Sequence, residues 1–235
     1  MDFFISNIYT VILVPLWVCL IIMLGKLFAV FQSRRLMAGL TITSTLYILA
    51  FSIAVFAKNL LNTGFTYEIA IPFIKISVIE FSIGAYIDGL SSWMLLIVAI
   101  ISLLVQIYSY SYMQFDKSFM RYFAYMNLFT FSMVGLVLSP NMFQTYIFWE
   151  LVGVSSYLLI GFWYKKEVVS NAAKKTFIIN RIGDFSLLSG IIMGGYILYS
   201  NYDNIVSISL PFSDLASISD QIYAATSDGI FIVLC

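Results

Sequence analysis

The chain has 235 residues, 61% of them hydrophobic and only 10% charged, with 12 basic residues matched by 12 acidic ones. A soluble domain carries about a quarter charged residues, so this composition excludes a water-soluble globule and makes lipid the main solvent. The zero net charge, with no basic block, argues against nucleic acid as a partner, and the absence of histidine removes histidine-held haem, zinc or iron and histidine-based triads from this stretch of chain.

In lipid the backbone must satisfy its own hydrogen bonds, which leaves helices or closed barrels. The apolar runs here are too long and continuous for barrel strands. A spanning helix needs about 20 such residues. In chain order, spans are expected at about 8–31, 36–57, 88–112, 121–139, 141–164 and 175–199, and a seventh opens near Asp228 and stops at Cys235. The expected fold class is therefore an all-α polytopic membrane protein. Residues 1–87 form a two-helix unit plus an external hairpin, and 88–235 an incomplete helix bundle.

The opening MDFFISNIY has no positive leader and the run after it lacks a cleavage site, so the first run reads as a retained helix. Residues 58–87 alternate apolar and polar residues around Pro72 and read as an external hairpin or pair of short strands. Residues 200–227 are polar and acidic and read as a loop with a short amphipathic helix. Trp17, Trp93, Tyr108, Tyr110, Tyr112 and Trp163 fall near span ends, as an aromatic belt does. Cys19 and Cys235 lie in apolar runs without a CxxC and read as small core residues.

Lysine and arginine set the orientation. One set of connections holds Lys26, Arg34, Arg35, Lys117, Arg121, Lys165, Lys166, Lys174 and Lys175; the alternate set holds only Lys58 and Lys75. The positive-inside rule puts the first set on the inner side and the N-terminus outside.

Against that background Glu150 is the anomaly: it is the single charge in NMFQTYIFWELVGVSSYLLIGFW. At 1.5 Å per residue it lies about 14 Å from the outer start of its span, near the middle of the lipid core. A charge there costs about 2.5–3.5 kcal/mol unless a partner, a proton or water compensates it. The next span carries Lys174, Phe177, Arg181, Asp184 and Leu188 on one helical stripe. It enters from the opposite side and brings Asp184 to a similar depth, about 14 Å in, with Arg181 at about 9 Å. Arg181 either pairs with Asp184 on its own helix or points across to Glu150. Glu150 is either a neutral glutamate acting as interhelical glue or one that changes protonation during transport, and transport is the expected role. Gly153, Ser155 and Ser156 on the same helix are accounted for by close packing. Lys174 and Lys175, at the inner end, either attract and relay charge or anchor the helix at the interface.

At these residues a resemblance emerges. WELVGVSSYLLIGFWY and AAKKTFIINRIGDF, with YIDGLSSWMLLIV and FMRYFAYMNLFTFSMVGLVLS before them, resemble the antiporter-like subunit L family of respiratory complex I, the NADH–quinone oxidoreductase. The mitochondrial counterpart is the fifth NADH dehydrogenase chain. The resemblance is dense over about 86–199; the first 85 residues match only in layout. It implies a subunit that moves protons across a bacterial plasma membrane or mitochondrial inner membrane, coupled to quinone reduction elsewhere. Glu150 matches the family's membrane glutamate, Arg181 and Asp184 match the polar pair of NRIGD, and Lys175 joins them as a proton-path candidate. The resemblance also implies inverted repeats with a broken helix, and a lysine on the seventh helix. GIFIVLC is only the opening of that helix, so the chain reads as an N-terminal fragment.

No glycine-rich fingerprint or cysteine cluster offers a site for NADH, FMN, an iron–sulfur cluster or quinone. Those groups are expected on other subunits, with no cofactor in this chain. The expected partners are the other complex I membrane subunits, above all adjacent antiporter-like subunits, and the lipid bilayer. The competing readings are the large subunit of a multisubunit sodium/proton antiporter, a membrane subunit of a hydrogenase-type complex, and a non-conducting membrane scaffold. NRIGD favours complex I over the antiporter.

Overall fold

The structure is a computed structural model that describes residues 8–28, 33–61, 66–76 and 79–201. Among these residues the helices α1 (Ile8–Leu27), α2 (Arg34–Leu61), α3 (Gly89–Tyr112), α4 (Phe119–Val137), α5 (Met142–Ile160) and α6 (Glu167–Asn201) follow the six apolar runs. The strands β1 (Tyr67–Ile76) and β2 (Ile79–Ile87) lie between α2 and α3. The expected seventh helix and most of the acidic 200–227 segment lie outside the described residues. By length and composition, α1, α2, α3 and the Glu167–Met193 part of α6 can each cross a membrane. The helices α4 and α5 have 19 residues each, a length of about 28 Å that matches the lipid core. The chain is an integral, polytopic, mainly helical membrane protein.

Two helix limits differ from the hydropathy reading. Helix α6 begins at Glu167, ahead of the expected 175, and α2 runs on through Lys58 to Leu61. A helix does not stop where the lipid does. EVVSNAAKK contains no proline or glycine to end it, and Glu167 in the first turn complements the helix dipole. Lys174 and Lys175 therefore sit inside a continuous helix.

The interior has the polarity expected of a lipid-solvated bundle. Helix α3 turns Ile97, Ile101, Leu104 and Ile107 outward and buries Ser91, Ser92, Ser102, Gln106 and Ser109. Lipid removes the hydrophobic reason to bury leucine, so small and polar side chains that allow close approach take the inside. Ser44 of α2 donates to Asn127 Oδ1 of α4 at 3.2 Å, and Thr45 of α2 donates to Gln106 Oε1 of α3 at 3.3 Å. Cys19 is buried with a free thiol, as a core residue.

One interhelical contact depends on a missing side chain. A Cβ on Gly135 of α4 would overlap the ring of Phe148 on α5, and that ring also packs edge-on against Phe131, 5.5 Å between centroids. Gly135→Ala is expected to destabilise the α4–α5 pair by about 1–3 kcal/mol, since an aromatic ring cannot yield without moving a helix. Thermal unfolding in detergent checks this, and adding Phe148→Leu should recover part of the loss.

The hairpin clamps the start of α5. Strands β1 and β2 pair antiparallel from Tyr67 opposite Ile87 to Ile76 opposite Ile79, with a register shift between Pro72 and Ile74. Pro72 has no N–H for the ladder, which suits it to an irregular position. Asn141 caps α5: its Oδ1 accepts from Gln144 N at 2.8 Å and its Nδ2 donates to Ser82 O at 2.9 Å. The Gln144 side chain then behaves like a third strand. Its Oε1 accepts from Gly84 N at 2.8 Å and its Nε2 donates to Gly84 O at 2.9 Å. Gln144→Leu strands both buried Gly84 groups, and the expected loss is about 2–4 kcal/mol. Faster amide exchange at Gly84 is the specific readout.

Candidate functional site

Two neighbouring helices build the site. Helix α5, clamped at its start by Asn141 and Gln144, carries Glu150 close to its midpoint, and Asp184 lies at the midpoint of α6. The two helices run antiparallel, joined by the turn at 161–166, so the two acids meet at a common depth. Arg181 of α6 lies between them. Its Nη1 forms a direct ion pair with Glu150 Oε2 and stands 3.9 Å from Asp184 Oδ2. The alternatives left open by spacing are thereby resolved by geometry: the guanidinium points across to α5 while keeping the acid on its own helix within reach.

Each carboxylate has a second donor. Tyr146, one turn before Glu150, donates its hydroxyl to Glu150 Oε1 at 2.6 Å. The Trp149 indole N–H of α5 donates to Asp184 Oδ1 at 2.9 Å. Phe177 supports the cation from below, its ring centroid 4.8 Å from the guanidinium carbon, and Tyr157 packs on Phe177 at 5.1 Å. Among the described residues two polar contacts thus cross the α5–α6 interface, Glu150–Arg181 and Trp149–Asp184, beside the Tyr157–Phe177 ring contact. The side chain of Asp184 is 7% exposed, those of Glu150 and Arg181 23% and 35%, so Asp184 is the deepest member.

Charge counting shows what the arrangement can do. Two carboxylates share one guanidinium, which leaves one negative charge in excess when both acids are ionised. That excess charge is what a proton or a further cation would offset.

The remaining sequence candidates fall outside this cluster. Lys174 and Lys175 are exposed on α6, and Lys175 lies six residues, about 9 Å of helix, before Arg181. Ser155 and Ser156 spend their hydroxyls on the carbonyls of Val152 and Gly153 within α5. A Cβ on Gly153 would meet nothing within 4 Å, so close packing among the described residues does not account for this glycine. Tyr146 and Trp149 were not singled out by sequence. The i−4 spacing of Tyr146 from Glu150 is a legible signal for a helical hydrogen bond. Trp149 has no such signal, because its partner lies 35 residues away on another helix.

Residues 73–123 match the family model described as NADH-ubiquinone oxidoreductase (complex I), chain 5 N-terminus, and residues 139–233 the one described as NADH:quinone oxidoreductase/Mrp antiporter, transmembrane. The chain is 49% identical over 161 residues to the chloroplastic NAD(P)H-quinone oxidoreductase subunit 5 of Physcomitrium patens, covering 66% of this chain and 22% of that protein. It is 39% identical over 227 residues to the subunit 5 of Citrus sinensis, covering 95% of this chain and 29% of that protein. The chain spans 18–29% of the length of the curated relatives it matches. In fold it is similar to a chain of the membrane-bound sulfane sulfur reductase, an archaeal respiratory membrane complex. The TM-score is 0.71 at 18% identity, over 92% of this chain and 40% of that one.

Proposed function

We propose that this chain, which belongs to the family of antiporter-like subunit 5 proteins of NAD(P)H-quinone oxidoreductases, carries protons through the membrane at the Glu150–Arg181–Asp184 cluster. The observation that carries this reading is the ion pair from Arg181 to Glu150 across the α5–α6 interface, with Asp184 held alongside. Glu150 and Asp184 take up and release the proton. Arg181 is the mobile counter-charge that trades between them, and Tyr146 and Trp149 position the two acids. Lys175 serves at the inner approach, where a cation gathers charge before it enters lipid.

The driving reaction belongs to other subunits. They would bind NADH or a related donor, FMN, the iron–sulfur clusters and quinone, while this chain contacts neighbouring antiporter-like subunits in the membrane. Its chloroplast relatives are named as quinone oxidoreductase subunits, which favours that role over the large subunit of a sodium/proton antiporter. The host is an energy-transducing membrane. The chloroplast relatives add a photosynthetic membrane to the bacterial and mitochondrial ones expected from sequence. Basic connections face the inner side and the N-terminus the outer.

Infrared difference spectroscopy on the intact assembly tests the proposal. A carboxylic C=O band is expected to rise and fall with turnover and to vanish when Glu150 and Asp184 are both amidated. A carboxyl region that stays flat during turnover would leave only the scaffold reading.

A further inference from the structure

A second polar feature lies away from the carboxylates, where α4 begins, α5 ends and α6 begins. A cavity of about 290 Å³ opens there, lined by Arg121 and Tyr125 of α4, Tyr157 of α5, Tyr164 of the connecting turn and Ser170 of α6. The Arg121 guanidinium is fixed at its wall. Its Nη2 donates to Phe162 O at 3.0 Å, and its carbon lies 5.0 Å from the Phe162 ring and 5.3 Å from the Tyr164 ring. Its Nε is buried and has no hydrogen-bond partner. Among the described residues no carboxylate lies within ion-pair distance of it, and the hydroxyls of Tyr125, Tyr157 and Tyr164 make no hydrogen bond to protein.

The nearby acid is already committed. Asp116, in the α3–α4 connection, accepts from Ser118 N at 2.7 Å and from the Trp163 indole at 3.1 Å. Those bonds, the Ser118 N–H foremost, hold its carboxyl below the usual range, and Arg121 contributes less. The cavity thus has a cation with spare donors, three phenols and no acid of its own. That donor set recognises a tetrahedral oxyanion, which an arginine binds through paired N–H groups.

Depth selects the source of the oxyanion. Tyr157 is two turns from Glu150, about 10 Å toward the basic end, so the cavity straddles the boundary of a lipid core about 30 Å thick. Leu158, Phe162 and Ala173 supply an apolar wall, and exposed Lys165 and Lys166 on the same turn add positive potential. We propose that this cavity holds the headgroup phosphate of an acidic phospholipid, with Arg121 on the phosphate, the tyrosines around it and the acyl chains leaving along α4 and α5. This assignment is independent of the proton path.

The test is native mass spectrometry of the full-length protein in its complex, delipidated and then offered phosphatidylglycerol or phosphatidylcholine. Retention of one phosphatidylglycerol in preference to phosphatidylcholine is expected, with Arg121→Gln lowering it about tenfold. Because Arg121 also holds the α5–α6 turn through Phe162, Tyr125→Phe with Tyr164→Phe is the second variant. It keeps the rings and the cation and should lower retention several-fold with an unchanged melting profile. Equal retention by wild type and both variants, or equal retention of the two lipids, overturns the site. Displacement of the lipid by millimolar inorganic phosphate would mark a free-anion site and overturn the lipid assignment.

Discussion

Replacing Glu150 with Gln is expected to lower proton translocation by the assembled oxidoreductase on the order of 100-fold, the scale of loss when a group that must exchange a proton no longer can. The substitution conserves volume and keeps a carbonyl oxygen to accept from Tyr146, which now lies 2.6 Å from the carboxylate. What disappears is the charge that draws Arg181 across from α6. With that charge gone, Arg181 settles on Asp184, already 3.9 Å away, and the trading between two acids that we propose could not occur. Subunit content and α5–α6 packing should survive, since Trp149–Asp184 still joins the helices. The measurement is the ratio of protons moved to quinone reduced in proteoliposomes. A normal ratio in this variant would remove Glu150 from the path.

Arg181→Met has the larger structural consequence. It leaves Glu150 and Asp184 facing one another at membrane depth with one neutral donor each, from Tyr146 and Trp149. Removing one partner of a buried ion pair costs about 3–5 kcal/mol. Arg181 is 35% exposed on this chain, so the pair is only partly buried by protein and the expected loss is discounted to about 2–4 kcal/mol. The double variant Glu150→Gln/Arg181→Met removes both charges and should be more stable than Arg181→Met alone, which is the signature of direct coupling in a double-mutant cycle. Thermal unfolding of the four proteins decides it. Simple additivity would mean that the ion pair contributes nothing to the α5–α6 interface.

The different outcomes expected for these variants follow from where the information resides. Glu150 stands out in the sequence because a charge inside an otherwise apolar run has few explanations in lipid. Arg181 and Asp184 could be placed beside it because 3.6 residues per turn puts them on one stripe and a short connection makes α5 and α6 neighbours. The partner of Arg181 was not legible: i,i+3 spacing allowed Asp184 and depth allowed Glu150. The distinction rests on side-chain direction, which helix rotation sets. Lys175, one residue past Lys174, is about 100° off that stripe, and both lysines are exposed.

By itself the sequence determined the solvent, the six helical runs and the hairpin between the second and third of them. Hydropathy, helical rise and alternation are local properties that lipid enforces on every segment separately. Tertiary structure alone decided that the Gln144 side chain completes the hairpin's backbone bonding, that Gly135 admits the Phe148 ring, that Trp149 reaches Asp184, and that Arg181 spans both acids. Those contacts join segments far apart in the chain. They depend on how each helix is rotated and how closely its neighbour approaches, and no local pattern of residues encodes either quantity.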